Sequence, residues 1–88
     1  MPLFYAYHNL VWMLNEEVKK CNLLTTSVLP PYRKDDPDMI FNLNKLIREC
    51  YTQINVFLPV NDSNKFQFEL IKRFLDDVIL FKDAILHL

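Results

Sequence analysis

FLDDVILFKDAILHL, residues 74–88, carries large apolar side chains to the end of an 88-residue chain, interrupted by Asp76, Asp77, Lys82 and Asp83. A spanning helix requires about 20 predominantly apolar residues, so these charges exclude a bilayer segment. The spacing is helical: apolar residues recur at three and four, and placing them at about 100° per step gives two neighbouring stripes. Phe66, Leu70, Phe74, Phe81, Ile85 and Leu88 form one, and Phe68, Ile71, Leu75, Val78, Ile79 and Leu86 the other. Their combined arc of about 220° exceeds what a helix with two neighbours covers. Glu69, Lys72, Arg73, Asp76, Asp83 and His87 are left as a narrow wet strip.

Working backwards, VNDSN (residues 60–64) reads as a turn, with Asp62 or Ser63 as the candidate cap of this last helix. A second helix begins where Asp36 can cap, Pro37 can take the first helical position and Asp38 meets the positive end of the dipole, and Pro59 stops it. Met39, Ile40, Leu43, Leu46, Ile47, Cys50, Tyr51, Ile54, Phe57 and Leu58 gather on its inner arc; Phe41 and Val56 fall outside. Pro30 and Pro31 in TTSVLPPYRKDDP (residues 25–37) break the chain before it. The first helix is expected from Leu3 to Thr25, with Leu3, Tyr7, Leu10, Val11, Leu14, Val18, Cys21 and Leu24 inward. Tyr5, Trp12 and Leu23 fall together on its outer side.

The expectation is an all-α protein: one compact domain over residues 1–88, an up-down-up bundle of three helices at about 3–25, 37–58 and 64–87. The chain contains no glycine, which removes the usual left-handed caps and primed hairpin turns and favours helices further. A domain of this size buries only about 60–65% of the surface its unfolded chain exposes, so it gains from further burial.

Charge and composition narrow the function classes. Ten Lys and Arg against eleven Asp and Glu, with signs mixed throughout, give a net charge of −1 and no basic field for a nucleic acid. MPLFYAYHNL (residues 1–10) has neither the basic start nor the cleavage site of a signal peptide, and Cys21 and Cys50 read as reduced thiols; the expected location is intracellular, cytoplasmic or nuclear. His8 and His87 share no ligand spacing with each other or with the cysteines. Asp35, Asp36 and Asp38, and the pair Asp76 and Asp77, lack the alternating oxygens and central glycine of a calcium loop. Ser27 and Ser63 have no glycine-flanked elbow, and a phosphate loop lacks its glycines. No catalytic residue, metal or cofactor is assigned.

The apolar surplus carries the functional expectation. If roughly 400–600 Å² on the third helix stays uncovered, burying it is worth on the order of 10–15 kcal/mol before association costs. A non-enzymatic protein–protein interaction subunit follows, docking on itself or in a heteromeric assembly through Phe68, Ile71, Leu75, Val78, Ile79 and Leu86, with Tyr5 and Trp12 as a second contact. Two other classes compete: a small helical enzyme holding an anionic substrate among Arg33, Arg48, Arg73 and Glu49 in an oligomer, and a membrane-surface or lipid-handling protein. The acids and bases on the wet strip are too evenly balanced for the latter.

Overall fold

The computed structural model describes residues 2–25, 28–33 and 35–87. Ser27 and Leu88, both weighed above, lie outside the described residues. Helix α1 spans Leu3–Trp12, α2 Pro37–Val56 and α3 Lys65–Leu86, and the described residues contain no strand. The chain is an all-α three-helix bundle.

The start of α2 is built as its residue types dictate. Asp36 is the N-cap and its carboxylate accepts from the Asp38 N–H at 2.9 Å, with Pro37 at the first helical position. The start of α3 differs from expectation: the cap is Asn64, not Asp62 or Ser63. The Asn61 carboxamide oxygen accepts from the Ser63 N–H at 2.9 Å and the Asn64 N–H at 3.1 Å, making an Asx turn. Asn64 in turn donates to the Phe57 carbonyl at 3.1 Å, tying the turn to the end of α2.

The first helix departs most. Beyond Trp12 the coil widens into a π-helical segment, Met13–Val18, with the Lys19 N–H donating to the Leu14 carbonyl at 3.2 Å. Helical turns end near Asn22 rather than Thr25. Asn22 sits at φ 56°. The Leu23 N–H bonds the Val18 carbonyl at 3.2 Å and the Asn22 N–H bonds that of Lys19 at 2.9 Å, which is a Schellman motif. Asn tolerates the left-handed region better than other residues with a Cβ, so it supplies the cap that glycine usually provides. The reversal and the extra residue of the π turn carry Leu23 inward, where it is buried with Val18. It is therefore not part of an outer stripe with Tyr5 and Trp12.

Helix direction also differs from up-down-up. Tyr7 near the start of α1 lies 5.2 Å, ring to ring, from Phe81 near the end of α3, while Glu17 bridges to Arg73 at 3.3 Å. Thus α1 runs antiparallel to α3, as does α2 across the turn 57–64. The order is up, up, down, with α3 packed against both others and α1 and α2 not directly apposed. The described residues of the connection, 23–25, 28–33 and 35–36, lie along the bundle between them. Its Thr25 N–H donates to Glu49 Oε1 of α2 at 2.9 Å, the Tyr7 hydroxyl donates to the Pro30 carbonyl, and Tyr32 packs 5.8 Å from Tyr7 and 6.2 Å from Phe81. Leu23 and Leu24 are buried and Leu29 and Tyr32 half-buried against the core, so this strap acts as a fourth wall.

The broad apolar arc of α3 now has a cause. As the helix packed against both others, it buries Leu70, Phe74 and Phe81 from one stripe together with Ile71, Leu75 and Val78 from the other. Tyr51 and Leu58, expected inside, are exposed. Among the described residues, no helix is long and apolar enough to cross a membrane.

Candidate docking surface

Of the residues expected to bind a partner, Ile71, Leu75 and Val78 are removed by the structure. They are core residues, Leu75 only 4% exposed, because α3 has neighbours on both flanks. Phe68 and Ile79 are half-buried at the border of the core, and Leu86 is 57% exposed near the end of the helix. Tyr5 and Trp12 are exposed, at 60% and 53%, Tyr5 with its ring edge-on to Phe4 at 5.7 Å.

Exposed apolar side chains are spread over the bundle, with Phe41, Tyr51 and Val56 on α2 among them, but those beside grooves lie on the α1 flank of α3. Phe66, expected inward, is 68% exposed at the first turn of α3, and Leu80, on neither expected stripe, is 66% exposed. Two grooves run between α1 and α3. One, of about 330 Å³, is lined by Leu3, Ala6 and Leu10 of α1 and Leu80, Phe81 and Ala84 of α3, with Asn9 and Asp77 at its edge. The other, of about 310 Å³, lies between Trp12, Cys21, Phe66 and Leu70, rimmed by Glu16, Glu17 and Lys20.

The grooves exist because side-chain size varies along this seam. Ala6 and Ala84 are too short to fill the space between the helices at one end, and the widened π turn holds Glu16 and Glu17 beside Phe66 and Leu70 at the other. The Arg73–Glu17 ion pair crosses the seam between them. Both partners are solvated, so the pair is worth at most about 1 kcal/mol and can re-pair readily. Lys20 pairs with Glu16 at 3.4 Å on the outer rim.

Chemistry-bearing side chains are dispersed. Arg73 pairs with Glu17 of the π-helical segment, Arg33 lies beside Asp35, Asp36 and Asp38, and Glu49 holds the strap. Among the described residues no group of three His, Cys, Asp or Glu is arranged to hold a metal ion. Cys21 and Cys50 are free thiols, the first half-buried and the second buried. Burial, with the Glu49 charge adding to it, raises the Cys50 thiol to about 12, and burial raises the Tyr7 phenol to about 12. Both groups belong to the core.

Leu80 is the residue that periodicity alone missed. Its signal was a heptad spacing rather than a stripe: Phe66, Arg73 and Leu80 recur at seven, as do Leu70, Asp77 and Ala84. No protein-family model matches the chain, and comparison with curated proteins and with solved structures finds no significant match in either.

Proposed function

We propose that this protein is a non-enzymatic interaction subunit that docks through the α1–α3 face, by self-association or within a multi-protein assembly inside the cell, in cytoplasm or nucleus. The supporting observation is the clustering of Trp12, Phe66 and Leu80, each more than half exposed, around two apolar grooves on one face. Exposed apolar patches rimmed by polar groups mark interaction sites, and aromatic residues beside pockets are the usual anchors of an interface. The partner face of the sequence expectation moves in this reading from the inner side of α3 to its α1 flank and keeps Trp12. The two free thiols accord with a reducing compartment.

The experiment is light scattering during size exclusion at micromolar and tenfold lower concentration, with dye binding and Trp12 emission recorded on the same samples. The chain contains one tryptophan, so its emission reports on this face alone. The expected result is an oligomer with blue-shifted emission, or a monomer whose dye binding is abolished by Phe66→Glu with Leu80→Glu. A monomer that binds no dye and whose emission is independent of concentration refutes the reading.

A further inference from the structure

We infer that the occupant of the α1–α3 face is a second copy of this chain, docked antiparallel about a twofold axis at the level of position 75 of α3. This deepens the docking proposal and rests on it. The α1 flank of α3 carries Phe66, Leu70, Arg73, Asp77, Leu80 and Ala84 at alternating steps of four and three, the a/d spacing of a coiled coil; all are exposed except Leu70, which is buried as the floor of the groove beside Trp12. In an antiparallel pair, a positions of one helix meet d positions of the other. A twofold axis at position 75 pairs residues whose numbers sum to the same value: Phe66 with Ala84 of the other copy, Leu70 with Leu80, and Arg73 with Asp77.

Each layer is complementary in its own terms. The large Phe66 meets the smallest side chain of the seam, the exposed Leu80 meets the groove floored by the buried Leu70, and a cation meets an anion, twice over by symmetry. The grooves obey the same relation. Phe66 and Ala84 both lie about 13.5 Å along the helix from the axis at 1.5 Å per residue. Phe66 of one copy therefore seats in the groove floored by Ala6 and Ala84 of the other, while Leu80 enters the groove beside Trp12 and Leu70. Trp12 closes over the edge of that groove. Each groove thus receives the side chain that the opposite groove leaves exposed.

Register and direction are fixed by the charges. A parallel pairing sets Arg73 against Arg73 and Asp77 against Asp77, as well as Phe66 against Phe66, and leaves the small-residue groove unfilled. Arg73 already reaches Glu17 across the seam, so in the dimer it lies between two carboxylates and holds the apolar layers on either side in place. The area is adequate: a 22-residue α3 is about 33 Å long. Together with α1 it presents a face of roughly 650 Å², near the 800 Å² per partner of a standard interface.

The test is a charge exchange. Arg73→Asp alone and Asp77→Arg alone each place like charges together twice in the homodimer and should raise its dissociation constant about tenfold or more. Mixed in equal amounts, the two variants restore both intermolecular pairs and should dimerise more tightly than either variant alone, as should the double variant Arg73→Asp with Asp77→Arg, which loses only the Glu17 contact. Circular dichroism on each variant confirms that the fold persists, and the double variant keeps the test decisive if one single variant does not fold. A wild-type chain that is monomeric, or single variants whose mixture fails to recover, overturns this pairing. A monomer that still binds dye at Phe66 and Leu80 overturns the self-pairing alone and leaves the docking proposal standing.

Discussion

Leucines at positions 75 and 80 of α3 are chemically identical, five residues apart, and should respond to truncation in opposite ways. Leu75 is 4% exposed and lies in the core with Ile71 and Val78, whereas Leu80 is 66% exposed at the edge of the α1–α3 groove. Truncating a buried leucine to alanine removes transfer free energy and leaves a cavity, at a loss of about 2–5 kcal/mol. A domain of 88 residues holds about 4–13 kcal/mol in total, so Leu75→Ala takes a large share. Its Tm should fall by about 10–30 °C. Leu80→Ala should stay within about 0.5 kcal/mol of the wild type as a monomer and weaken association instead. Urea unfolding followed by circular dichroism and Trp12 emission measures both, at a dilution where the midpoint no longer depends on concentration. A loss below about 1 kcal/mol at Leu75, or equal losses at the two sites, would mean that α3 presents a different face to the core. The docking face would then be wrong as well.

Four further outcomes are expected. Cys21 should react with a thiol reagent in the native state while buried Cys50 waits for unfolding; two equally fast thiols would contradict the packing around α2. Because Cys50 and Tyr7 titrate at about 12 in the folded chain rather than at 9.0 and 10.0, the unfolded chain releases these protons first. Their contribution to stability should be complete below about pH 9 and decline as pH rises toward 12, measurable as a falling urea midpoint. Asn22→Gly should be neutral or stabilising, whereas Asn22→Val should cost about 1–2 kcal/mol, since only the left-handed backbone at this position penalises a branched side chain. Tyr32→Ala should loosen the strap at a cost of about 2–3 kcal/mol, read as faster proteolysis within residues 23–36. Unchanged cleavage would show that Tyr32 does not clamp it.

Several features were legible because they depend on neighbours in sequence. The cap at Asp36 with Pro37 and Asp38, the stop near Pro59, and the inward set Met39, Leu43, Leu46 and Cys50 follow from local hydrogen bonding and a regular 3.6-residue period. Leu23 was misplaced because the same period was carried through a turn that bonds five residues back. An absence of glycine suggested that left-handed caps were missing, yet Asn22 makes one.

What the amino-acid order alone determined is therefore the helical class, the positions of the breakers and the amphipathic phase of α2 and α3. What only the tertiary structure decided is which of two apolar stripes on α3 is surplus. Periodicity measures the width of an apolar arc but is blind to how many neighbours will cover it. That number came from helix direction and from the strap: with α1 and α2 both antiparallel to α3, and Leu23, Leu24, Leu29 and Tyr32 of the strap packed against the core, Ile71, Leu75 and Val78 are buried. The surplus moved to Phe66 and Leu80, where short side chains at Ala6 and Ala84 leave the seam between α1 and α3 open.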